Sequence, residues 1–125
     1  MNTAEFRREL EKIMPGYNWT VHKPLSKEGT YLEATGIQTS GFNRLSTLQA
    51  VRREQKGAVW YEVKYSGFGK KTPWLSASEA GTLAQALRRL QEFYEAMART
   101  YAGAAGGLQR ARKKEPVNSQ EEVPP

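Results

Sequence analysis

Residues 45–65 read LSTLQAVRREQKGAVWYEVKY, and the fold turns on how they are divided. From Ala58 to Tyr65 the pattern has a period of two, with Val59, Tyr61, Val63 and Tyr65 on one side and Trp60, Glu62 and Lys64 on the other. Alternation in β-branched and aromatic residues marks a half-buried strand. The stretch before it reads two ways. Leu45, Leu48 and Val51 lie at helical spacing behind Asn43 as a cap, whereas Leu45, Thr47, Gln49 and Val51 alternate as a strand would. Lys56-Gly57 decides for the strand, because a turn signal leading straight into Ala58 joins the two runs as a hairpin.

Working outward, Tyr17, Trp19 and Val21 alternate with Asn18, Thr20 and His22, which predicts a first strand. A second follows the Pro24 to Gly29 loop, over Tyr31 to Gln38, with Gly36 read as the mark of a bulge. Before them, Asn2-Thr3-Ala4-Glu5 is a helix start, and Phe6, Leu10, Ile13 and Met14 share one face of the helix it opens. Pro15-Gly16 ends that helix, since proline cannot continue the hydrogen-bond ladder.

Downstream of the hairpin, Ser76-Ala77-Ser78-Glu79 has the form of a capping box and predicts a long helix from Ser76 to Tyr101. Leu83, Leu87, Leu90, Tyr94, Met97 and Tyr101 follow at steps of four and three, with Ala86 and Phe93 widening the stripe and Gly81 as a weak point. Such a helix is about 39 Å long, against a diameter of about 34 Å for a domain of about 100 residues. Its end should therefore overhang, which makes Met97 and Tyr101 either a homodimer contact or a surface covered by the N-terminal helix. Beyond it, a glycine-rich, then basic, then acidic and proline-containing stretch predicts a disordered tail.

The expectation is an α+β fold: an N-terminal helix, an antiparallel sheet of about four strands, a long C-terminal amphipathic helix on one sheet face, and the tail. The 125 residues suit one core, so residues 1–102 are expected to be a single domain and 103–125 the tail. Three Trp, six Tyr and four Phe are more than a disordered chain usually carries. No apolar run is long enough to span a bilayer, and Met1 to Leu10 is charged where a signal peptide needs apolar residues, so the expected compartment is the cytoplasm. The absence of cysteine excludes disulfides and thiolate metal sites.

The net charge of +6 is concentrated. Between Gln38 and Lys71 stand Arg44, Arg52, Arg53, Lys56, Lys64, Lys70 and Lys71 against only Glu54 and Glu62. Cations of this kind contact phosphates, and Trp60, Phe68, Phe42 and Trp74 are flat side chains on which unpaired bases stack. Chemistry is poorly supplied by comparison. All 13 acidic residues are Glu, and His22 is the single histidine, which leaves no triad, no two-histidine metal site and no cofactor motif. Ser66-Gly67-Phe68-Gly69-Lys70-Lys71 lacks the Walker spacing and reads as a loop.

The order of elements, with Lys70-Lys71 ahead of Leu83-Ala84-Gln85-Ala86-Leu87, resembles the double-stranded RNA-binding domain over about half the chain. Thr72-Pro73-Trp74 departs from that pattern by separating the lysines from the helix. The functional expectation is a non-enzymatic nucleic-acid-binding domain working through a basic, aromatic hairpin surface: Arg44, Arg52, Arg53, Lys56, Trp60, Lys64, Phe68, Lys70 and Lys71. The alternative is a protein-interaction module, such as an inhibitor or accessory factor of a mobile element, that meets an acidic partner protein. Neither reading calls for a membrane, a metal or a cofactor.

Overall fold

The computed structural model describes residues 1–24, 30–41, 43–67, 74 and 76–113. Helix α1 (Thr3–Ile13) opens with a reciprocal cap: the Glu5 amide donates to Asn2 Oδ1 and the Asn2 amide to Glu5 Oε1, both at 2.8 Å. Five strands follow: β1 (Asn18–Val21), β2 (Tyr31–Ser40), β3 (Asn43–Gln55), β4 (Ala58–Ser66) and β5 (Ser76–Ala80). Helix α2 (Leu83–Lys113) ends the described chain. The strands form one antiparallel sheet in the order β1-β2-β3-β4-β5, each beside its neighbour in sequence.

The β3–β4 hairpin is built as the sequence predicts. Lys56 (φ 52°) and Gly57 (φ 79°) both take left-handed backbone, the mirror-image turn whose twist matches paired strands, and Gln55 and Ala58 close it. Gly36 has a different role from the one expected. It stays in regular register between Trp19 and Leu48, and a Cβ there would stand 2.9 Å from the Trp19 ring. Glycine is needed because the indole lies on the backbone. The register shift falls instead between Gln38 and Thr39, opposite Leu45, which is left outside the pairing.

One sheet face is apolar and covered. Trp19, Leu32, Ala34, Leu48, Ala50, Tyr61, Val63 and Ala80 are buried there, together with Phe6 and Leu10 of α1 and Leu83, Ala86, Leu87 and Leu90 of α2. Polar anchors fix the arrangement. Trp19 Nε1 donates to the Met14 carbonyl at 3.1 Å, and Arg7 donates to the Trp19 carbonyl at 2.9 Å. Arg52, on the covered face opposite Tyr61, donates through Nε to the Tyr61 hydroxyl at 3.1 Å, and that hydroxyl donates to Glu9 of α1 at 3.1 Å. A second bond and ion pair joins Arg52 to Glu54 at 3.2 Å. The chain of bonds ties β3, β4 and α1 together.

Two expected boundaries move. Ser76–Ala80 is a strand rather than the first turns of the helix, since the open edge of β4 pairs Tyr65, Val63 and Tyr61 with Ser76, Ser78 and Ala80. The helix starts after Gly81, and its cap is Thr82, whose Oγ1 accepts from the Gln85 amide at 3.1 Å. At the other end α2 continues to Lys113, through Gly103, Gly106 and Gly107, past the expected limit of the ordered domain. Each of those glycines costs about 1 kcal/mol relative to alanine in a helix interior. Residues 114–125 of the expected tail lie outside the described residues. By internal contacts Met1–Leu90 forms one compact unit, and a second begins at Gln91.

Gly36→Ala is expected to lower the unfolding free energy by about 1–3 kcal/mol, because the added methyl must push the Trp19 ring from its seat. Arg52→Ala should cost about 1.5–3 kcal/mol by leaving the buried Tyr61 hydroxyl with a lost partner. Urea unfolding midpoints check both. Burial pushes the Tyr61 and Tyr17 hydroxyls above their ordinary pKa of 10.0. The unfolded chain therefore releases these protons first, so the stability they confer is full below pH 10.0 and is lost as the pH rises above it. The same urea series run at rising alkaline pH should show that decline, and Tyr61→Phe should reduce it.

Candidate nucleic-acid interface

The face of the sheet opposite the helices is half-buried or exposed along the strands, with Val51 and Ser66 its buried members. Strand register arranges it in rows. At the end nearest the Lys56-Gly57 turn, Tyr31, Arg53 and Trp60 are cross-strand partners on β2, β3 and β4. The Arg53 guanidinium lies over the Tyr31 ring, 5.0 Å from its centroid, and Arg53 Nη2 stands 3.8 Å from Glu62 Oε1. The Arg53 side chain is 43% exposed, so its fork still reaches solvent. An aromatic, a cation and an aromatic thus lie side by side across three strands.

The next row is acidic: Glu33, Val51, Glu62 and Glu79 are successive partners across β2 to β5. Glu33 accepts from the Tyr31 hydroxyl at 2.9 Å and from Gln49 Nε2 at 2.7 Å. Burial and the bond to Glu33 hold the Tyr31 hydroxyl above its ordinary pKa. The third row is polar, with Thr20, Thr35, Gln49, Lys64 and Ala77. His22, read from the sequence as a surface residue, reaches Thr35 Oγ1 at 2.8 Å. With Lys23, Pro24, Tyr31 and Glu33 it lines a recess of about 220 Å³.

This geometry redistributes the expected site. Arg53, Trp60 and Lys64 share the open face, and Lys56 sits at the hairpin tip beside them. Arg52 does not join them: its side chain is on the covered face, 11% exposed, and its charge is matched by Glu54. Burial opposes that charge, but the Tyr61 hydroxyl and the Glu54 carboxylate outweigh it and hold the guanidinium protonated more firmly than usual. Arg44 lies near the far end of β3, about 40 Å of strand from Lys56 at roughly 3.3 Å per residue. Phe42, Phe68, Lys70 and Lys71 lie outside the described residues, while Trp74 is exposed. In the structure β5 also stands between Lys71 and α2, so the lysines do not open the last helix as the resemblance to the double-stranded RNA-binding domain requires.

The open sheet face is therefore aromatic and mixed in charge rather than basic. Arg53 and Lys64 face Glu33, Glu62 and Glu79. Residues that sequence reasoning passed over, Tyr31, Glu33 and Gln49, complete it; the β2–β3 register brings in Tyr31 and Glu33, and the β3–β4 register sets Gln49 beside Lys64. Of the two expected contact residues on α2, Met97 is half-buried and Tyr101 is 64% exposed. Among the described residues no group of His or Glu is placed to hold a metal ion, and no helix is long and apolar enough to cross a membrane. Comparison of the chain with protein-family models, with curated proteins and with solved structures returns no match.

Proposed function

We propose that this chain is a non-enzymatic, cytoplasmic domain that binds single-stranded nucleic acid on the open face of its sheet. The observation that carries the reading is the Tyr31–Arg53–Trp60 row beside Lys56. Unpaired bases stack on aromatic rings and guanidinium planes, at about 1–3 kcal/mol per base. Arg53 and Lys56 stand beside that platform to meet the phosphates. The acidic row supports single strands over duplex. Glu33, Glu62 and Glu79 repel a phosphate backbone laid across the sheet, yet carboxylates accept hydrogen bonds from base amino groups turned toward them. The arrangement favours a strand whose bases face the sheet and whose backbone runs along the hairpin side.

Fluorescence anisotropy with labelled single-stranded DNA and RNA at low salt tests this. Trp60→Ala and Tyr31→Ala are each expected to weaken binding by roughly 5- to 100-fold. Lys56→Asn, which suits the left-handed turn while removing the charge, should reduce the slope of log affinity against log salt by about 0.7. Arg52→Ala should lower stability and leave the affinity of the folded protein unchanged. Absence of binding to either single strand at low salt would overturn the reading. Equal affinity for duplex, with no effect of Trp60→Ala, would overturn it too. Capture of an acidic protein through this face in nuclease-treated samples would replace it with the protein-interaction alternative.

A further inference from the structure

The recess beside His22 shares a wall with the stacking row. The chain runs on past Val21 along β2, with the His22 amide donating to the Glu33 carbonyl at 2.9 Å, which brings His22 and Lys23 next to Glu33 and Tyr31. The Tyr31 ring over which the Arg53 guanidinium lies also lines the recess. Its volume of about 220 Å³ is that of about seven waters, at the roughly 30 Å³ each occupies in the liquid. One nucleobase fits such a space and a base pair does not.

The polar group on its wall is a prepared acceptor. Glu33 Oε1 takes a hydrogen bond from the Tyr31 hydroxyl at 2.9 Å and Oε2 takes one from Gln49 Nε2 at 2.7 Å, so neutral donors hold both oxygens in place. An ionised carboxylate has about four acceptor positions, which leaves each oxygen room for a further donor. Among the described residues no cation pairs with Glu33. Two adjacent acceptors carrying one charge call for two adjacent donors. Guanine alone among the common bases presents them on its Watson–Crick edge, at N1–H and the N2 amino group. Adenine and cytosine set a ring-nitrogen acceptor beside their amino group, and thymine and uracil set one donor between two carbonyls. Each of those edges turns a lone pair toward the carboxylate.

The surroundings supply partners for a phosphate. Lys23 lines the recess, is exposed, and forms no bond or ion pair among the described residues. A second recess, of about 380 Å³, shares His22, Lys23 and Pro24 with the first and adds Arg7, with no carboxylate among the described residues that line it. Arg7 is fixed by its bond from Nη1 to the Trp19 carbonyl and keeps further guanidinium donors for an anion. An acceptor for a base in one recess and two cations around the next match the two ends of a nucleotide.

We propose that the recess at His22, Tyr31 and Glu33 takes one guanine of the bound single strand, with Glu33 accepting from N1 and N2 and with Lys23 and Arg7 meeting the adjoining phosphate. This rests on the single-strand reading of the sheet and adds base selectivity to it. The Tyr31–Arg53–Trp60 row stacks any base, and the recess beside it selects one.

Anisotropy on the full chain with three labelled strands tests this: all thymine, the same strand with one central guanine, and the same strand with hypoxanthine in its place. Hypoxanthine keeps N1–H and lacks only the N2 amino group. Guanine should strengthen binding roughly 10- to 100-fold over thymine, and hypoxanthine should recover only part of that gain. Glu33→Gln, which keeps the shape but sets a donor beside the acceptor, should abolish the difference between guanine and hypoxanthine. Lys23→Ala should lower the slope of log affinity against log salt by about 0.7. Unlabelled 5′-guanosine monophosphate should compete at least tenfold more weakly than the guanine-bearing strand; equal competition would overturn the assignment to a strand. Equal affinity for the three strands, with binding still weakened by Trp60→Ala, would overturn the inference and leave the single-strand reading standing. A guanine preference that survives Glu33→Gln would overturn it as well, whereas no binding to any strand would overturn both.

Discussion

The fold and the candidate site both depend on the register of one hairpin. Lys56 and Gly57 make a two-residue turn in left-handed backbone, and that turn leaves a single way for β3 and β4 to pair. It sets Arg52 opposite Tyr61 and Arg53 opposite Trp60. A slip of one residue would exchange the two arginines, moving a bonded cation out of the covered face and an exposed one into it. Two neighbours with the same side chain therefore do opposite work. Arg52 fastens β3 to β4 and, through Tyr61, to Glu9 of α1, while Arg53 lies across Tyr31 on the open side.

How much of this the sequence reveals depends on the strength of the local pattern. Strands β1 to β4 carry alternation of β-branched and aromatic residues, and α1 carries a reciprocal cap, so their existence follows from period and chemistry. Strand β5 has no such signal. Ser76, Ala77, Ser78 and Glu79 fit a helix start as well as a strand, and only the open edge of β4 decides. The far end of α2 is hidden for the opposite reason, since Gly103, Gly106 and Gly107 are helix-weakening residues inside a helix.

The site is legible only in part. The separation of Arg52 from Arg53 is implied once Gln55 and Ala58 are paired, but a count of charges along Gln38 to Lys71 treats the two as equals. Tyr31 and Glu33 reach the site through the β2–β3 pairing, which is fixed by burial of Leu32 and Ala34 against their neighbours and not by a short turn at that end. Composition therefore suggested a basic surface, whereas the pairing places three glutamates across its middle. A concentration of charge along the chain becomes a surface only when alternate residues share a face.

The sheet is an uncrossed meander, and this has a kinetic consequence. Every strand pairs with the one before or after it, so each pairing closes a short loop and no strand waits for a distant partner. The two-residue closure at Lys56-Gly57, equal in length to the one that joins β2 to β3, is a natural place for assembly to begin, with β2 and β5 adding outward from β3 and β4. Helix α1 is different. Its anchor runs from Glu9 to Tyr61, 52 residues apart in sequence. During synthesis α1 emerges first yet gains its seat only after β4 has been made, so its exposed Phe6 and Leu10 are the surface the nascent chain must keep apart until the hairpin arrives.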